Sequence, residues 1–273
     1  MGIARVNARR SALGRMGHPS GKSRVTSTPG PLVEIGSLLG GLLAWELLGR
    51  VLGLSWLPPF SACVGALIDL INQGLILAQL ADSVQALAIG FAAALLASFV
   101  IAFLMAEFEL VDLAIGPYIY AFFLLPSIAL VPVFLAVFGI GDLTRLAVIF
   151  VYCFFYMALN FHTAFLERDS ALMEMAESFQ ASRWQRTRYV VVPMALPLVL
   201  ATIRVGLSRA VKGMINGEQF IAIYGLGGLI ETFGGEFAAV KVFAVILVVV
   251  ALALVLDVLM RLLDARWTRW AAA

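Results

Sequence analysis

Six apolar runs, each about 20 residues long or slightly more, leave this chain few ways to fold. They are Leu32 to Leu54, Val84 to Ala106, Pro117 to Phe138, Leu143 to Phe165, Pro193 to Ile215 and Val240 to Leu263. A helix crossing ~30 Å of hydrocarbon needs about 20 such residues. Lipid offers the backbone no hydrogen-bond partners, so only helices and closed barrels span it, and these runs lack the period-two alternation of barrel strands. The expectation is an all-α fold, a polytopic helical membrane protein with six transmembrane helices. Composition decides against a soluble domain: 62% of residues are hydrophobic and 13% charged, where soluble domains carry about 25% charged.

The net charge of +2 says little, but its distribution does. Arg5, Arg9, Arg10, Arg15, Lys22 and Arg24 precede the first acid, Glu34. Arg168, Arg183, Arg186 and Arg188 lie between the fourth and fifth runs, and Arg261, Arg266 and Arg269 close the chain. These are 13 of the 19 basic residues. The opposite loops hold Arg50, Arg145 and Lys241. The positive-inside rule then puts both termini and the segment after the fourth run in the cytoplasm. The acidic loop with Glu107, Glu109 and Asp112 breaks the pattern, but acids weigh little in that rule.

Residues 1–30, rich in Gly, Ser, Arg and Pro, read as a disordered basic cytoplasmic tail without a signal peptide, and 31–273 as one transmembrane domain. Pro58 and Pro59 close the first helix. Ser61 to Ala81 suits a helix lying along the outer interface. Pro126 and Pro132 are expected to kink the third span. Tyr224 to Phe237, with five glycines, reads as an outer loop.

One polar segment interrupts the apolar pattern, Glu174 to Pro197 (EMAESFQASRWQRTRYVVVPMALP). Ser182 and Gln185 form an S-x-x-Q capping box, which starts a helix near Arg183 and puts the turn before it at Gln180 and Ala181. The resulting helix–turn–helix elbow carries Arg183, Arg186 and Arg188 and is too charged for lipid. Small residues such as Ala176 and Ala181 would let a partner approach closely.

In the fifth run Arg204, Ser208 and Lys212 share one helix face at four-residue spacing, with Arg209 elsewhere and Glu218 near the outer end. A cation in mid-membrane costs ~2.5–3.5 kcal/mol on insertion scales, so it should face water or a partner. Two readings stay open: a polar translocation path tolerating anions, with Lys212 its best candidate, or charge pairing of Arg204 with Glu46 or Asp257. Cys63 and Cys153 suggest neither a disulfide framework nor a metal site. His162 reads as a capping or interface side chain, and no hydrolase or zinc motif appears. Gly17 to Ser23 (GHPSGKS) approaches a phosphate-binding loop, but three residues separate its glycines instead of four. No catalytic residue, cofactor, metal or nucleic-acid partner is expected.

The elbow resembles the coupling motif of membrane-spanning permease subunits of ATP-binding-cassette importers. Glu174 stands at the motif's Glu, Ala176 at its second Ala, and Val192-Pro193 and Leu196-Pro197 at its hydrophobic-Pro steps. The likeness runs from about Leu32 to Trp270. It includes Trp45-Glu46-Leu47, Ser83, Gly90-Phe91, Arg204, Arg209, Glu218, Gly225-Leu226-Gly227 and Trp270, and is nearest the branch handling nitrate, taurine and other sulfonates, bicarbonate and related small compounds. Departures are Met175 for the first Ala, Gln180 for the motif's Gly, and Lys212 where the pattern is apolar.

The resemblance implies a subunit that forms the path for a small anionic or organic solute and is not itself an enzyme. It implies as partners a cytoplasmic ATPase dimer, a second permease subunit (usually identical) and a periplasmic or extracellular solute-binding protein. The coupling element would span about residues 167–192, with Glu174, Ala176, Gln180, Ala181, Ser182 and Arg183 in the contact and Arg204, Ser208 and Lys212 on the path. The alternative class is a self-sufficient channel or proton-coupled carrier, which leaves the capped elbow unexplained.

Overall fold

The computed structural model describes residues 31–166, 170–221 and 225–267. The tail, Arg168, Tyr224, Arg269 and Trp270 lie outside the described residues, as does the side chain of Arg183. Two compact units divide at Trp45/Glu46, inside the helix α1 (Pro31–Leu52). The first contributes the helical residues 31–45. All other elements belong to the second.

Within it come α2 (Phe60–Asn72), α3 (Leu75–Glu107), α4 (Glu109–Leu124), a 3-10 turn (Ser127–Leu130), α5 (Val131–Phe138) and α6 (Asp142–Leu166). The elbow follows as α7 (Ser170–Ser178) and α8 (Arg183–Arg186), and a π-turn (Thr187–Val191) leads into α9 (Val192–Ile221). The chain closes with α10 (Gly225–Gly235) and α11 (Ala239–Trp267). Every regular element among the described residues is helical, as the apolar runs require.

α6 is the central element, packed between α3 and α9. The reason is complementary size. On α3, Ala86, Gly90, Ala94, Ser98 and Ala102 recur every fourth residue, all buried. On α9, Gly206, Ala210, Gly213 and Gly217 do much the same. Between these small-residue faces sit Ile149, Met157 and Phe161 of α6, all fully buried. In lipid no hydrophobic effect drives helices together, so close backbone approach through small residues supplies the packing energy instead. A Cβ at Gly90 would stand 2.8 Å from Ile149, and one at Gly206 2.6 Å from Met157.

Three expectations need correction. The outer interfacial helix stops at Asn72, because Gly74 adopts a left-handed φ of 74° and turns the chain; residues 75–81 begin the 33-residue α3. The third span is broken, not kinked: its halves meet at 100°. Leu125, ahead of Pro126, is extended, whereas Pro132 sits in the first turn of α5, where a missing N–H costs nothing. The two prolines thus act oppositely, one ending a helix and one starting the next. The halves still make one crossing, since Asp112 of α4 faces His162 at the C-terminal end of α6 (3.5 Å). At the other end Thr144 donates to the carbonyls of Phe134 (3.3 Å) and Gly139 (2.5 Å). Lastly, the glycine-rich outer segment is the helix α10, with Gly225 to Gly228 buried.

Candidate functional site

The elbow owes its shape to hydrogen bonds the sequence specifies. α7 ends in a Schellman turn: the N–H of Ala181 donates to Ala176 O (3.0 Å) and that of Gln180 to Glu177 O (2.8 Å). Gln180 takes the left-handed position at φ 54°, where glycine is the usual occupant. The turn is therefore of the ordinary kind despite Gln180, which carries strain of ~1 kcal/mol. Directly after it the capping box closes, with Ser182 N–H donating to Gln185 Oε1 (2.8 Å) and Gln185 N–H to Ser182 Oγ (3.3 Å). Arg186 and Glu177 pair at 2.5 Å across the angle. Ser182→Ala is expected to cost about 1 kcal/mol, confined to the elbow. Faster amide hydrogen exchange at residues 183–186, with α6 and α9 unchanged, would show it.

Ala176 faces inward at 8% exposure, and Glu174 is exposed. Around them the elbow presents Phe179 (80% exposed), Trp184 (69%), Tyr189 and Met175 to the surroundings. A cleft of about 300 Å³ runs between Ala176, Phe179, Ala181, Gln185, Arg186 and Tyr189. From Trp184 to Ile221 the helical segment runs 38 residues, ~57 Å at 1.5 Å per residue, longer than a ~30 Å hydrocarbon layer is thick.

The three cationic-face residues of α9 separate in role. Arg204 Nε donates to Asp257 (2.8 Å), which also accepts from Arg261 (2.8 Å), so Arg204 takes part in the charge pairing that the sequence left open. Glu46 is not its partner. Instead Glu46 binds Arg50 (2.5 Å) and accepts from Ser61 N–H (2.9 Å), bonds that lie wholly within the second unit. Ser208 and Lys212 are exposed, and Lys212 has no ion-pair partner among the described residues. With Asp257 they border a cavity of about 250 Å³ between α9 and α11.

One cluster the sequence reading missed lies at the end of the bundle away from the elbow. Arg145, assigned above to an outer loop, is a buried side chain of α6 at 6% exposure. It bonds Asp82 of α3, pairs with Asp142 (2.9 Å), and stands 3.7 Å from Glu218 of α9. Glu218 is fully buried and accepts from Ser83 Oγ (2.9 Å) and from Gly227 N–H (2.9 Å). Ser83 in turn accepts from Leu226 N–H, and Gln79 from Gly225 N–H. A carboxylate thus meets the free amides of a helix start, where the dipole favours it. Gly225 and Gly227 are required, because a Cβ at either would collide with Glu218. The signal was present: Arg145 stands inside the fourth apolar run, three residues after Asp142, and a cation there should not face lipid.

A broken third crossing, a central helix clasped by small-residue faces and a capped elbow define a polytopic all-α membrane protein. Residues 94–269 match the family model described as binding-protein-dependent transport system inner membrane component. The chain belongs to that family. It is 27% identical over 245 residues to the taurine transport system permease protein TauC of Escherichia coli, covering 87% of this chain and 89% of that one. With the riboflavin transport system permease protein RibX of Chloroflexus aurantiacus it shares 32% over 168 residues, 62% of this chain and 63% of the relative, under two thirds of either. The putative aliphatic sulfonates permease SsuC of Bacillus subtilis is 25% identical over 242 residues, covering 89% and 85%. A solved structure of the MetNI methionine ABC transporter in inward-facing form superposes with a TM-score of 0.56, at 20% identity, over 71% of this chain and 94% of that one; it shares the fold. The protein is thus a multi-pass inner-membrane permease component of an ATP-binding-cassette importer and not itself an enzyme.

Proposed function

We propose that this permease imports a small anionic or organic solute of the sulfonate, taurine or nitrate kind, and that its elbow, from Glu174 to Arg183, is the surface on which the separate ATPase subunits act. The observation carrying this reading is the elbow itself, a hydrogen-bonded angle that displays Phe179 and Trp184 beside a cleft. Rigid geometry transmits a push, and exposed aromatics supply a grip. ATP binding then biases which end of the path is open, because the ATPase contacts the elbow differently in the two states. Pairing with a second copy and delivery of solute by a binding protein at the α10 end complete the proposed assembly. Arg261 and Arg266, at the end of α11 whose Asp257 binds Arg204, support a cytoplasmic C-terminus. The names TauC and SsuC favour a sulfonate among these solutes, and RibX widens the range of its relatives.

Phe179→Glu tests the docking role without touching the buried Ala176. Copurification of the cognate ATPase with the membrane subunit is expected to fall at least tenfold, as for loss of an interface hot spot. Unchanged recruitment and unchanged uptake would refute the elbow as the contact.

A further inference from the structure

We propose that solute selectivity resides in a polar face at mid-membrane depth, formed by Tyr152 and Tyr156 of α6 with Arg209, Lys212 and Asn216 of α9, and that this face takes small organic anions. The inference rests on the transport reading above and locates its selective surface.

Tyr152 and Tyr156 straddle the midpoint of α6, which is 25 residues long and spans the bundle. Asn216 donates to Tyr152 Oη at 2.6 Å, and the Arg209 guanidinium lies 4.3 Å above the Tyr156 ring. These contacts put both α9 residues at the depth of the hydrocarbon centre. Val205, Ser208, Lys212 and Phe220 of α9 are exposed and Arg209 and Asn216 half-buried, all within an arc of about 120° at 100° per residue. The opposite arc, with Gly206, Ala210, Gly213 and Met214, is the packed one.

Cations at this depth are expensive in lipid, and neither Arg209 nor Lys212 has a carboxylate partner among the described residues. Arg204, one turn before Ser208, does have one. The contrast separates a structural cation from two uncompensated ones. The cation–π contact with Tyr156 holds Arg209 in place, its N–H groups are suited to a carboxylate or sulfonate, and Lys212, three residues on, adds a point charge on the same face. An amide and two phenols offer the remaining hydrogen bonds. Such a face fits an anion passing through water.

The test uses Asn216→Cys in membrane vesicles holding the assembled transporter. The two native cysteines are buried and give an unreactive background. Each variant is treated with 2-sulfonatoethyl methanethiosulfonate, itself a small sulfonate, or with its trimethylammonium counterpart, and rates are normalised to those with free cysteine. The anionic reagent is expected to react at least ~10-fold faster, as a focused positive potential requires. The preference should fall towards one in the Arg209→Gln and Lys212→Gln backgrounds, and Leu254→Cys on α11 should stay unreactive. Ser208→Cys, whose native hydroxyl bonds its own helix, repeats the measurement should Asn216→Cys fail to assemble. No reaction with either reagent, equal rates, a preference indifferent to both cations, or a disulfide between two copies at this position would overturn the proposal. ATPase activity stimulated by the binding protein, measured on the same vesicles, reports separately on the transport reading.

Discussion

Arg145→Met is expected to lower the stability of the detergent-solubilised subunit by about 3–5 kcal/mol, because it strands a buried carboxylate. Three acids converge on Arg145, but Asp142 is largely solvent-facing and Asp82 partly so, whereas Glu218 is fully enclosed. Most of the loss therefore comes from Glu218. The unfolding midpoint followed by tryptophan fluorescence should drop by roughly 10 °C or more. Adding Glu218→Gln should restore most of it. The amide oxygen can still accept from Gly227 N–H and Ser83, and no buried charge then lacks a counterion. An unchanged midpoint in Arg145→Met would mean that the cluster is not a charge-balanced joint.

Alanine at Gly227 should be nearly as damaging, at about 3 kcal/mol, with Gly213→Ala at about 2. A Cβ on Gly227 would lie 2.5 Å from Ile215 O and 2.6 Å from Glu218 Cβ, and backbone cannot step aside. One on Gly213 would meet Tyr152 Cβ at 2.8 Å and Ile149 Cα at 3.2 Å, prying α9 from α6. Gly65→Ala in α2 is the control, since nothing lies within 4 Å of that site. There the better helix propensity of alanine should stabilise by up to ~1 kcal/mol. Equal midpoints for the three variants would sink the account of close helix approach. Arg145 and Gly227 lie at the same end of the molecule, where α3, α6, α9 and α10 are tied together, and Gly213 lies nearer the middle of the α6–α9 contact.

Local rules carried the elbow almost entirely. The capping pair Ser182 and Gln185, the turn at Gln180 and the helix from Arg183 all follow from contacts within six residues of one another, which sequence order guarantees. The break at Pro126 was readable as a disturbance but not as a 100° turn, since its angle depends on what α4 and α5 pack against. Arg145 was misplaced for the same reason. Its partners Asp82 and Glu218 are 63 and 73 positions away in the chain, and no local pattern encodes that meeting.

By itself the sequence determined that this chain is helical and crosses a membrane, for lipid tolerates no unpaired backbone, and that a capped elbow interrupts the apolar pattern. It also fixed which residues are small and which large on the faces of α3, α6 and α9. The tertiary structure alone decided which cation of α9 is neutralised and which two, among the described residues, are not, because that depends on whether a carboxylate of another helix arrives within a few ångströms. It likewise turned a run of glycines into a helix seated on Glu218, a consequence of packing space and hydrogen-bond demand that only neighbours in three dimensions can impose.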